Sequence, residues 1–112
     1  MLRVASFVIA LSVGLATSAV ARDAKTTGEQ VYAEQKCAVC HSIAGKGNVK
    51  GPLDEVGSKH SADDIRAWLI DAKAMTAKTK APRKPEMKAY TLTKDQADAL
   101  VAYLSAMKKK KK

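Results

Sequence analysis

The chain has 112 residues and carries 20 Lys and Arg against 11 Asp and Glu, a formal net charge of +9 at pH 7. That length is one small domain, and two cysteines cannot build the disulfide framework that supports many small exported folds. The basic balance calls for acidic partners or surfaces.

The first residues direct the chain out of the cytoplasm. Met1-Leu2-Arg3 is a short positive start, Val4 to Ala16 is an apolar run, and Ala19-Val20-Ala21 is a small-x-small cleavage site. A retained membrane anchor is the rival reading, because Val4 to Ala21 is uncharged and long enough to span a bilayer. Its second half, "LSVGLATSAVA", is rich in small and hydroxylated residues, which suits a peptidase better than lipid. The expectation is a signal peptide over 1–21 cleaved after Ala21, a periplasmic domain over 22–107 and a lysine-rich tail over 108–112. Export also removes nucleic acid as the partner of so much positive charge.

Three helical patterns follow, with no convincing strand between them, so the predicted class is all-α. In the first, Thr26 and Glu29 fit a reciprocal cap, and "EQVYAEQK" presents Val31 and Tyr32 as its apolar face. The second starts at Ser61 with Asp64 as its capping partner. It carries Ile65, Trp68, Leu69 and Ala72 at helical spacing and is expected to end near Ala74. The third starts at Thr93 with Gln96 and places Ala97, Leu100, Val101 and Leu104 on one stripe. Asp95 and Asp98 suit its positive end, and Lys108 to Lys112 suit its negative end. The loops are "GKGNVKGPLDEVGSK", with four glycines and a proline, and "MTAKTKAPRKPEMKAYTL", too charged and proline-broken to be helical throughout.

"CAVCH", Cys37 to His41, directly follows the first helix. A redox C-x-x-C site sits on a fold with a central sheet, and this chain has no run of β-branched strands to supply one. Zinc needs about four ligands, usually in two paired sets, and His60 is the one obvious further nitrogen donor. The remaining reading is a covalently held haem: two thiols add to the two vinyl groups, and the next residue's imidazole reaches the iron. Cys37, Cys40 and His41 supply all three groups. A large prosthetic group would also serve as a core for so short a chain.

From Gly28 to Met107 the chain resembles the small class I c-type cytochromes of bacteria. The resemblance rests on "GEQVYAEQKCAVCH", "GPLDEVGSK", "KPEMKAY" and "LTKDQADALVAYL" in that order. It implies a cytochrome c fold, three main helices and loops wrapped around one covalently bound haem c per chain. Cys37 and Cys40 would hold the haem by thioethers, and His41 would be the proximal iron ligand. Pro52 would set its carbonyl against the His41 imidazole and raise its basicity. Gly28 and Tyr32 are similar to the family's small and aromatic positions where the first helix crosses the last, near Tyr103. Met87 occupies the family's distal-ligand segment, with Lys88 where a proline is more usual. Met75 is the competing sulfur, better explained by packing at a helix end. His60 is a further alternative ligand, with an exposed position before the Ser61 cap as its simpler account, and Trp68 is expected in the core.

With His41 and Met87 both on the iron, no position is open to substrate, so the implied function is a single-electron carrier and not an enzyme. Thioether ligation and burial both raise the reduction potential. Lys78, Lys80, Arg83, Lys84 and Lys88 crowd the loop around Met87. They would steer a monomeric carrier, with no small-molecule substrate, toward redox proteins with acidic docking faces. The alternative is a haem subunit of a larger oxidoreductase, or a sensing or catalytic haem protein with an exchangeable sixth ligand. The terminal lysines could touch a partner or anionic lipid, with a solvated, frayed end as the simpler account.

Overall fold

Helix α1 (Ala24–Glu34) crosses helix α5 (Lys94–Ser105), and no other pair of elements packs so extensively. Close approach is possible because Gly28 sits at the crossing. A Cβ there would collide with the Tyr103 side chain and the Ala99 carbonyl. One turn on, Tyr32 meets Tyr103 edge to face, ring centroids 6.3 Å apart at 68°, a favoured aromatic geometry. Burial pushes the Tyr32 phenol up to about 12. The arrangement agrees with the crossing implied for Gly28, Tyr32 and Tyr103. The computed structural model describes Gly14 and residues 24–110. Apart from Gly14, the predicted signal peptide with its cleavage after Ala21 lies outside the described residues, as do the last two lysines.

The caps explain where the helices start. Thr93 Oγ1 accepts from the Gln96 amide at 3.1 Å, and the Gln96 side chain accepts from the Thr93 amide at 2.9 Å, a complete capping box for α5. Ser61 Oγ accepts from the Asp64 amide at 3.1 Å and opens α3 (Ala62–Ile70). The single second helix expected from Ser61 to Ala74 is in fact two. Asp71 leaves helical geometry, and its carboxylate accepts from the Ala74 amide at 3.3 Å, capping a new helix, α4 (Ala72–Thr79). Helix α1 begins at Ala24, so Thr26 lies in its first turn and is not the cap.

The segment between α1 and α3, expected as loop, holds a small hairpin and a one-turn helix. β1 (Ser42–Ile43) pairs antiparallel with β2 (Lys46–Gly47). Ala44 and Gly45, the two residues of the loop, both have positive φ, +52° and +78°, as a type I′ hairpin requires. Helix α2 (Val56–Lys59) is a single turn, held from outside by the C-terminus. Gly57 N–H donates to the Met107 carbonyl at 2.8 Å, the Lys109 amide donates to Ser58 Oγ at 2.7 Å, and the Lys108 ammonium donates to the Gly57 carbonyl at 2.6 Å. Lys108 therefore does not serve the end of α5, whose last turn holds no basic residue. The first lysines of the tail belong to the fold.

The core joins Val31 of α1, Ile65 and Leu69 of α3, and Leu100, Val101, Tyr103 and Leu104 of α5, with Leu100 only 1% exposed. An Arg66 to Asp98 ion pair of 2.6 Å ties α3 to α5 at the surface, where such pairs add little. Among the described residues no helix is long and apolar enough to cross a membrane.

Because Gly28 leaves no room for a methyl group against α5, Gly28→Ala is expected to destabilise the protein by about 1–3 kcal/mol. Thermal unfolding followed by circular dichroism measures it; an unchanged midpoint would mean that the crossing is not tight.

Candidate functional site

On its inner side the core faces a cavity of about 730 Å³. Ile65, Leu69, Leu100 and Leu104 form part of both, with Leu53, Val56 and Trp68 completing much of the apolar wall. Cys37, Cys40, His41 and Met87 all lie on this wall, although the chain separates Met87 from the others by two loops and three helices.

The cysteine segment is shaped by its backbone. Lys36 takes a left-handed conformation (φ 56°) that ends α1 and starts a 3-10 turn over Cys37–Val39. Cys40 and His41 amides both donate to the Cys37 carbonyl, at 3.1 and 2.9 Å. The Asn48 amide donates to the Ala38 carbonyl at 3.0 Å and the His41 carbonyl at 2.9 Å, while its side chain reaches the Val39 carbonyl at 3.3 Å. One residue from the following loop thus secures the whole segment, a role with no side-chain signature in the sequence. The two cysteines form no disulfide with each other, Cys37 being buried and Cys40 exposed, and burial pushes the Cys37 thiol up.

His41 Nδ1 donates to the Gly51 carbonyl at 3.0 Å. The same carbonyl accepts the Ser42 amide at 3.0 Å, so the imidazole is held by a backbone junction in which Ser42 is 2% exposed. This corrects the expectation for Pro52: the orienting carbonyl belongs to the preceding residue. Pro52 instead bridges Ser42 and is itself exposed. Burial pushes the His41 imidazole below its usual range, Arg83 adds to that, and the Gly51 bond opposes it. The neutral ring with Nδ1–H donating leaves Nε2 with a lone pair for a metal.

Met87 is partly buried against the core. Its segment is tied to α3 by the Tyr90 amide, which donates to the Leu69 carbonyl at 2.9 Å, and the Lys88 ammonium lies 5.3 Å from the Tyr90 ring centroid. Met75 is buried within α4 and is not on the cavity wall. Met107 packs on the core beside α2. Among the described residues, Met87 is the one methionine that the cavity presents. His60 is exposed and touches the cavity edge, and Trp68 is half-buried on the wall instead of in the core. Of the basic loop, Arg83 and Lys88 line the cavity together with Lys36, which sequence reasoning had not singled out. Lys84 pairs with Glu86 at 2.8 Å, which holds that carboxyl below its usual range; Lys78 and Lys80 are exposed.

The donor set decides what the cavity suits. Among the described residues no three His, Cys, Asp or Glu side chains cluster to hold a bare metal ion. Two thiols, one neutral imidazole and one thioether around a large apolar space fit a flat macrocycle that carries its own metal. The Tyr32 hydroxyl, on the same wall, is buried without a hydrogen-bond partner in the described chain.

Comparison with known proteins agrees with this geometry. A family model described as Cytochrome c matches residues 26–108. The chain is 27% identical over 90 residues to cytochrome c oxidase subunit 2 of Alkalihalophilus pseudofirmus, a match that covers 72% of this chain and 25% of that protein. The chain therefore spans about a quarter of that relative's length. No solved structure matches significantly.

Gly51 is crowded by the Cys40 carbonyl and the Arg83 guanidinium, so Gly51→Ala is expected to displace the carbonyl that holds His41. The predicted cost is about 1–3 kcal/mol of stability, with the His41 Nδ1 proton lost from its protected position in NMR spectra. A protected Nδ1 proton in that variant would show that the junction is more tolerant than its spacing implies.

Proposed function

The chain belongs to the cytochrome c family, a family of haem-based electron transfer with covalently bound haem c, and from that premise we propose that it is a monohaem, single-electron carrier. In this reading Cys37 and Cys40 would hold the haem by thioethers, and His41 Nε2 and the Met87 sulfur would ligate its iron. The observation that carries it is the convergence of these four residues on one apolar cavity.

When bound, the haem iron supplies a one-electron ferric/ferrous couple. The residues around it set the rest. The Gly51 carbonyl fixes the His41 tautomer and makes the ring a better donor. The Met87 thioether, neutral and soft, favours the ferrous state. Burial by Leu69, Leu100 and Leu104 acts in the same direction, because the oxidised centre carries the extra charge. A centre closed by two protein ligands has no position for a substrate, which supports a carrier over a catalyst. Lys36, Arg83 and Lys88 at the cavity would meet acidic faces of redox partners, with rates that fall as salt rises.

Cytochrome c domains are typically exported or membrane-associated; periplasmic delivery after cleavage behind Ala21 is part of this proposal, as is the monomeric state. A second reading is favoured by the similarity to an oxidase subunit: the chain would then serve as the haem subunit of a larger oxidoreductase. It predicts co-purification with a partner, where a free carrier elutes as a monomer.

The test is the absorption spectrum of the protein, oxidised and reduced, with and without carbon monoxide. The closed site predicts a far-red sulfur-to-iron band when oxidised and no change with carbon monoxide when reduced. Met87→Ala should abolish the band and Met75→Ala should keep it. Ready binding of carbon monoxide by the parent would replace the carrier with a sensing or catalytic haem protein.

A further inference from the structure

Docking to an acidic partner does not account for where Arg83 sits. Its side chain lies half-buried on the cavity wall, packed against Gly51 so closely that a Cβ there would collide with Nη1 and lie 2.9 Å from Cζ. Gly51 is the residue whose carbonyl accepts from His41 Nδ1, so the guanidinium lies against the residue that holds the imidazole. The ion pairs among the described residues are Arg66–Asp98, Lys84–Glu86 and Lys94–Asp98; Arg83 has no carboxylate partner there. Its neighbour Lys84 is paired with Glu86.

Partial burial of an unpaired guanidinium is costly, and simple packing against Gly51 would be achieved at less cost by an apolar side chain. We infer that Arg83 is a positioning and potential-setting residue: it seals the His41–Gly51 hydrogen bond from water, and its fixed charge biases the iron toward the ferrous state. The physical reason is that oxidation adds a positive charge to the centre, and a nearby cation opposes that addition. For a unit charge on the order of 8 to 25 Å away in a medium of dielectric constant on the order of 20, the ferrous-to-ferric ratio at fixed potential changes by about three- to thirtyfold. The inference rests on the haem reading proposed above.

The haem-loaded protein tests it by potentiometric titration of Arg83→Gln and Arg83→Lys, with the exposed Lys78→Gln as control and hydrogen exchange of the His41 Nδ1 proton as a second readout. Expected results are a shift of about three- to thirtyfold toward ferric in Arg83→Gln, recovery of most of it in Arg83→Lys, and no shift in Lys78→Gln. The Nδ1 proton should exchange faster in Arg83→Gln. Should Arg83→Gln fail to accumulate, Arg83→Met removes the same charge with similar volume and is judged by the same criteria. An unmoved ratio in a loaded charge-removal variant overturns the inference, as does a shift that Arg83→Lys leaves unrestored. A parent protein that carries no haem overturns the haem reading itself, and this inference with it.

Discussion

The structure depends on the apolar cavity between α3, α5 and the two long loops. A chain of this size buries little apolar surface even when complete, and here Ile65, Leu69, Leu100 and Leu104 back onto open space on one side. In the proposed reading a haem held by Cys37 and Cys40 would cover those walls and would serve at once as redox centre and as part of the core. The same burial that stabilises the fold raises the potential, which joins stability and function in one contact surface.

The rest of the fold presents ligands to that space. The α1 to α5 crossing at Gly28 and the Tyr32 to Tyr103 pair form a frame behind the cavity wall. Asn48 and Gly51 reach back from the loop after the hairpin to hold the Cys37–His41 segment by its carbonyls and its imidazole. Tyr90 ties the Met87 segment to the end of α3. The C-terminal residues clamp α2, whose Val56 is part of the cavity wall. Each loop is therefore fixed by backbone hydrogen bonds at the point where it delivers a side chain.

Much of this was legible in the sequence because it is written in side chains. The Ser61 and Thr93 caps, the stripe from Ala97 to Leu104 and the C-x-x-C-H cluster follow from residue type and spacing, and the choice of Met87 from the resemblance to small c-type cytochromes. The departures are features for which the backbone decides. The hairpin has strands of two residues, too short for alternation, and its one signal is the Ala44-Gly45 turn. Helix α2 has four residues, below the length at which periodicity can be seen. Asp71 lies inside the stripe of Ile65, Trp68, Leu69 and Ala72, whose unbroken helical spacing conceals the capping role of the aspartate. The carbonyl opposite His41 belongs to Gly51 and not to Pro52, a difference of one peptide unit that no side chain records. Arg83 was one of five charges in a basic loop, and its distinct position appears only once the loop lies against Gly51.

The central claim is that one haem is bound covalently through Cys37 and Cys40. Intact-mass measurement of the exported protein, followed by mapping of the modified peptide, tests it most directly. The account predicts a chain that starts at Arg22, heavier than its polypeptide by one haem, with both thioethers in the Cys37 to His41 peptide. A mature chain of unmodified mass with two free thiols would contradict it.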